Sequence, residues 1–322
     1  MTYYFDKVYI NDKYSFLASD KYSPIVLDNV DEFENDYYLK KKTIELAEIE
    51  FQRKVVNGIL EKTKLSKNDI DLIISGDLQN QILASTIAVS NTDISHLGIY
   101  SACSTFIEGI IIASLILNSE KNNIIVSSSS HNLVSEKQFR FPVEYGAVRR
   151  RVNTCTASGS IAVLLNKNKS KIKIESGTIG KVVQTNHKDA NDMGSAMAIS
   201  CANTIIKHLE DTKRNIEYYD LILTGDLGIY GLEIVKKVLK ENKIYPKNII
   251  DSGSIYYQDE NIYAGASGPV CLPIVLFDHI LKQNKYKKIL VVATGSLHST
   301  MSCNLKLPIP SISHAISLEV KY

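Results

Sequence analysis

The hydrophobic positions change period several times along the chain, and each change predicts an element. Residues 110–117, IIIASLIL, follow Gly109 and carry no charge. Such a run is too long for an edge strand and too short to cross a bilayer, so it predicts a buried helix. Over 43–63, Leu46, Phe51, Val55, Ile59 and Leu60 fall near i, i+3, i+4 spacing with Lys and Glu between them, which predicts an amphipathic helix. Residues 197–209 predict another. Short apolar runs at 8–10, 70–75, 96–100, 123–128 and 288–294 predict strands, and a helix is expected through Ala88. Around 97–145 the order is strand, sharp turn with Cys103, apolar helix, strand, then a polar loop opening at His131. A strand–helix–strand unit of this kind brings a thiol and an imidazole to one rim of a sheet.

The pattern then repeats. Asp71-Leu-Ile-Ile-Ser-Gly-Asp77-Leu78 returns as Asp220-Leu-Ile-Leu-Thr-Gly-Asp226-Leu227, 149 positions later. Each copy follows an amphipathic helix. Ala102-Cys103-Ser104 finds a counterpart near Ala266-Ser267-Gly268, the strand at 123–128 one at 288–294, and His131 a rough one in His298. Four matched features in one order predict a duplication of βαβαβ halves, 1–168 and 169–322, divided at the polar stretch 166–171. Mostly parallel sheets with helices outside follow from that rhythm.

Composition narrows the function. The 322 residues carry a net charge of only +2, so no global field argues for nucleic acid. Five cysteines without a CxxC pair or metal-ligand spacing fit a reducing compartment and free thiols. The start MTYYFDKVYIND lacks a basic then apolar signal pattern, and no stretch is long enough to span a membrane, so any membrane association is expected to be peripheral. Neither GxGxxG after the first strand nor GxxxxGK[ST] is present, which leaves nucleotide binding unsupported, and no cofactor is expected.

Cys103 stands where a helix start lowers a thiol pKa and attracts anions; the alternative is a small buried thiol. His131 ends a strand whose last positions, 127–130, are all serine, either as a pocket residue or as a satisfied core histidine. Asp77 and Asp226 end equivalent strands, where Asp accepts N–H bonds from the following helix; Asp77 could also face the pocket. Glu108 lies one turn into the apolar helix and needs a partner if buried, which Lys137 or Arg140 could supply. Lys137 and Arg140 could bind carboxylates, and Phe139, Phe141 and Tyr145 could stack on a flat ring; a solvated loop is the competing reading. The basic run Arg149-Arg150-Arg151 reads as a solvated face, with anionic head groups as the alternative.

Two βαβαβ halves with a Cys opening the first central helix resemble the thiolase and ketoacyl synthase superfamily. More narrowly, GDLQNQ (76–81), ACSTFIEG (102–109), SSSHN (128–132), EKQFRFPVEYGA (136–147), TGDLG (224–228) and VVATGSLHS (291–299) resemble the stage V sporulation protein AD family. The resemblance implies a thiolase-like α/β fold of five layers, α/β/α/β/α. It also implies a soluble component of the SpoVA complex that moves dipicolinate, free or as its calcium chelate, into the developing spore. On that implication the protein is not an enzyme. It would sit peripherally at the spore inner membrane beside integral membrane subunits, and homodimers are common in the fold. Condensing enzymes of the superfamily draw His and Asn, or a second His, from the C-terminal half. Here those places read Ile250-Asp-Ser-Gly-Ser254 and Ala264-Gly265-Ala266. An acyltransferase using Cys103 and a purely structural subunit are the alternatives. The implied ligand-binding set is Asp77, Cys103, Glu108, His131, Lys137, Phe139, Arg140 and Tyr145, with no metal site.

Overall fold

Thr43 opens the first long helix, α1 (Ile44–Thr63), by accepting the Leu46 N–H, and Lys64 closes it in a left-handed conformation. Its apolar face, with Phe51, Val55, Val56 and Ile59, is buried against a sheet. The computed structural model describes residues 1–18, 24–119, 121–139, 150–257, 259 and 262–322. The expected residues Arg140, Phe141, Tyr145 and Arg149 therefore lie outside the described residues.

The N-terminal half contains β1 (Thr2–Tyr4), β2 (Tyr9–Ala18), β3 (Glu32–Glu34), α1, β4 (Leu72–Gly76), α2 (Leu83–Val89), β5 (His96–Gly98), α3 (Thr105–Leu117), β6 (Asn123–Ser130), α4 (Asn132–Phe139), β7 (Cys155–Thr156) and β8 (Gly159–Asn166). The C-terminal half contains β9 (Ile172–Ile179), β10 (Val183–Gln184), α5 (Met193–Thr212), β11 (Leu221–Thr224), α6 (Gly228–Glu241), β12 (Ile249–Asp251), α7 (Ser252–Tyr256), β13 (Ala266–Ser267), α8 (Cys271–Val275), β14 (Lys288–Ser296), α9 (Thr300–Asn304) and β15 (Pro310–Val320).

The strand order shows the duplication directly. One half runs β5-β4-β6-β8-β2 and the other β12-β11-β14-β15-β9. In both, the first three strands are parallel and the last two pairings antiparallel. The two sheets meet where Tyr9 and Ile10 of β2 pair with Lys173 and Ile172 of β9. The strand expected at 8–10 is longer in β2: it runs on to Ala18, with Phe16 buried on one face and Leu17 on the other.

Three apolar cores account for the five layers. One lies between α1 and the first sheet, one between α5, α6 and the second sheet, and the largest between the two sheets. The apolar helix α3 fills that middle layer, where Ile110, Ile111 and Leu117 are all but inaccessible to water. A helix apolar on every side belongs in such a place. Its counterpart begins at Cys271, beyond the expected Ala266-Ser267-Gly268. Ala266 and Ser267 instead form β13, which pairs with β7. A cysteine therefore stands at the start of both central helices.

Candidate functional site

The turn before α3 is built from hydroxyls. Ser101 N–H donates to Thr105 Oγ1 (2.9 Å), Thr105 Oγ1 donates to the Ala102 carbonyl (2.7 Å), and Ser104 Oγ donates to the Ser101 carbonyl (2.7 Å). They hold Ala102 at a φ of 50°, a left-handed conformation that a non-glycine residue adopts only when its surroundings impose it. Gly295 of β14 packs against the turn so closely that a Cβ there would lie 2.2 Å from the Ser101 carbonyl oxygen.

Cys103, almost wholly buried, opens onto a small chamber shared with Ser135, Phe139, Thr156, Ser296 and His298. Its free space is about 30 Å³, room for a water or two. The Ser135 hydroxyl is buried there without a hydrogen-bond partner among the described residues. Next to the chamber lies a groove of about 420 Å³ whose walls include Gln79, Gln81, Tyr100, Gln138, Phe139 and His298. Tyr100, Phe139 and His298 belong to both spaces. The Phe139 and His298 rings meet at 5.3 Å, and His298 Nδ1 lies 3.0 Å from Ser296 Oγ.

The expected residues divide between this site and the interior around it. Cys103 and Phe139 line the chamber. His131 does not. Its ring is enclosed between Tyr37 (4.3 Å) and Phe51 (5.5 Å, stacked), with Nε2 donating to the Tyr37 carbonyl and Nδ1 accepting from Leu133 N–H. Burial lowers its pKa to about 4, so it is neutral. The imidazole that reaches the Cys103 chamber is His298, from the other half. Asp77 is buried beneath the groove and accepts Gln79 N–H (2.8 Å) and Ser85 N–H (2.7 Å), the capping role expected of it. Lys137 reaches out to Glu45 (2.7 Å). Glu108 keeps one buried oxygen without a hydrogen-bond partner among the described residues, and burial raises its pKa. Arg140 and Tyr145 are outside the described residues. Arg150 pairs with Asp189 (2.8 Å), and Arg151 stands 5.0 Å over the Tyr263 ring.

Ser135 and Thr156 have no sequence motif that announces them, whereas Ser267 falls in the Ala266-Ser267-Gly268 counterpart and Ser296 in VVATGSLHS. Leu78 lies in the repeated string and in GDLQNQ, and both Leu78 and Tyr100 follow parallel strands at the carboxyl end, where open α/β sheets place their ligands.

The comparisons agree with this architecture. The stage V sporulation protein AD profile matches residues 4–319. The chain belongs to the stage V sporulation protein AD family. It is 39% identical over 292 residues to stage V sporulation protein AD of Bacillus subtilis (strain 168), covering 88% of this chain and 86% of that one. Solved structures with the same fold include a point variant of OleA from Xanthomonas campestris, at a TM-score of 0.64 and 15% identity over 98% of this chain and 99% of that one. They also include 3-oxoacyl-[acyl-carrier-protein] synthase III from Aquifex aeolicus VF5, at 0.59 and 15% over 97% and 99%. At such identities the likeness shows the thiolase-like fold alone. Family membership gives the chain a role in sporulation. No helix among the described residues is long and apolar enough to cross a membrane, and no group of three or more His, Cys, Asp or Glu side chains among them is placed to hold a metal ion.

Proposed function

We propose that this protein is a non-catalytic binder of pyridine-2,6-dicarboxylate (dipicolinate), free or as its calcium chelate. The ligand lies in the groove outside the Cys103 chamber. The observation that carries this reading is the Phe139–His298 wall. It presents two flat rings to a space of about 420 Å³, within the range of small-molecule sites, whereas the chamber behind it has room only for water. The side-chain amides of Gln81 and Gln138 supply N–H donors for carboxylates along the same groove. Arg140 follows Phe139 directly in the chain and is the nearest arginine in sequence for a charge-assisted bond. The protein would act at the spore inner membrane, handing dipicolinate to integral membrane subunits of the SpoVA complex. The edge strand β5, with Leu83 and Leu97 exposed nearby, supports pairing with a second copy.

Calorimetric titration with dipicolinate tests the reading. Phe139→Ala removes the stacking face, worth about 0.5–1.5 kcal/mol beyond its buried area, so affinity should fall at least two- to tenfold. Arg140→Ala should weaken binding at least tenfold and Arg150→Ala little. Absence of binding by the parent protein at millimolar ligand would overturn it.

One observation favours a second reading: Cys103 and His298 share a chamber, as a thiol and base of an acyltransferase would. A thioester on Cys103 after incubation with short acyl-CoAs, followed by turnover, would establish that reading in place of the first.

A further inference from the structure

The groove wall formed by residues 79–82 is held from beneath by two buried carboxyl groups, and Gln79 touches both. Its backbone N–H donates to Asp77 and its side-chain amide donates to Glu48 Oε2 at 2.9 Å. Glu48 lies on α1 and is fully buried; its other oxygen is 3.1 Å from Ser129 Oγ on β6. Beyond Gln79 the chain takes two consecutive left-handed residues, Gln81 (φ 57°) and Ile82 (φ 51°). That conformation is uncommon for any side chain and a true outlier for a β-branched one, so the loop keeps it only while its supports hold.

We propose that Glu48 is a proton-controlled support for this wall: with its proton it holds Gln79 and the left-handed turn in the groove-forming arrangement, and without it the wall loosens. The surroundings of Glu48 explain why its charge matters. Facing it are Asp77 from the turn after β4, Glu45 on its own helix, itself paired with Lys137 of α4, and only hydroxyls from β6. His131 beyond β6 is neutral. No lysine or arginine among the described residues bonds to Glu48. Burial, then the charge of Asp77, raises the Glu48 pKa to about 8. When protonated, Oε1–H can donate to Ser129 while Oε2 accepts from Gln79. When ionised, Glu48 adds a second negative charge beside Asp77 in a space holding only amide and hydroxyl donors. Relief requires moving Glu48 from Asp77 or admitting water, and Gln79 stands between them.

The consequence for the ligand rests on the groove reading above. A dicarboxylate in the groove adds negative charge over the same wall, so it favours the protonated form. Linkage then makes affinity fall as pH rises through about 8. If only the protonated state forms the groove, the loss approaches tenfold for each further pH unit.

Hydrogen exchange of the 76–89 segment, corrected for intrinsic rates, should be measured from pH 6.5 to 9.5 in the parent and in Glu48→Gln. Gln keeps the shape, stays neutral, accepts from Gln79 and donates to Ser129. Protection in the parent should fall across pH 8 and in Glu48→Gln stay level; dipicolinate affinity should follow the same two courses. Level protection in the parent, or an equal fall in both proteins, overturns the proposal. If Glu48→Gln does not fold, the carbon-13 shift of the Glu48 carboxyl in the parent decides: titration in the ordinary carboxylate range overturns it. If dipicolinate fails to bind at every pH, the ligand assignment falls, while the exchange and carboxyl titrations still judge the support itself.

Discussion

Replacing Asp226 by Asn should stabilise the protein by an amount that grows with pH. Asp226 sits in the turn after β11, fully buried, at a φ of 66°. Among the described residues, neither of its oxygens finds a nitrogen or hydroxyl partner; only the Cys271 thiol, a weak donor, stands by. Burial first, and then the Asp251 charge, push its pKa well above the usual carboxylate range. The unfolded carboxyl titrates near its ordinary value of 3.8. Between that value and the folded one, the unfolded chain has released a proton that the folded chain still holds. Stability is therefore full below the ordinary value and falls as pH rises, by about 1.4 kcal/mol for each pH unit. Asn has nothing to titrate, is nearly isosteric and tolerates a left-handed backbone. Its amide can donate toward Asp251. Denaturant unfolding of both proteins at one ionic strength should show the gap between them widening as pH rises above the ordinary carboxylate range, at a limiting slope of about 1.4 kcal/mol per unit. Parallel stability curves would refute the argument, because they would mean that Asp226 is ionised in the folded state and has a partner that stabilises it.

Acid should act through His131: its folded pKa of about 4 lies below the ordinary 6.5, so its contribution is complete above 6.5 and is lost as pH falls toward 4. The loss is on the order of 3 kcal/mol, and His131→Gln should flatten that limb of the stability curve measured by denaturant unfolding. Gly295→Ala should force the Ser101 carbonyl aside, cost about 1–3 kcal/mol, and change the alkylation rate of Cys103 followed by mass spectrometry; an unchanged rate would show that the strand, not the Cys103 turn, absorbs the clash.

Much of the fold was legible because the apolar period alone separates α3 from its flanking strands, and because the Asp71–Leu78 string returns at Asp220–Leu227. The site was less legible, for physical reasons. The four serines before His131 left two readings of that histidine open, a pocket residue or a satisfied core residue. Each serine bonds a different part of the interior: Ser127 accepts from Gln52 of α1, Ser128 donates to the Pro269 carbonyl, Ser129 meets Glu48, and Ser130 donates to the Ala157 carbonyl. The run is polar because β6 faces both an outer helix and the seam between halves. With those hydroxyls spent, His131 falls into the core. His298 comes into place through the long pairing of β14 with β15, a contact between segments that no local pattern announces.

The two halves differ at their helix starts: one lies beside a groove and the other holds a fully buried cysteine. In the first half, Asp77 caps its own turn, and Cys103 faces a space bounded by side chains of Phe139 and His298. In the second half, the capping has passed from Asp226 to Asp251, which accepts the N–H groups of Leu227 (3.2 Å) and Gly228 (2.8 Å) and the hydroxyl of Thr224 (2.9 Å). That places a second carboxyl under the turn and leaves Asp226 stranded beside Cys271. Gly228, at a φ of 62°, lets the Ala264 carbonyl approach so closely that a Cβ would lie 2.1 Å from it. At the second helix start Cys271 is completely buried, with the Ser252 hydroxyl 3.9 Å from its sulfur. Among the described residues Cys271 has no exposed surface, whereas the Cys103 chamber adjoins the groove, so substitutions around Asp226, Asp251 and Cys271 should change stability, and those around Phe139, Gln81 and His298 should change binding.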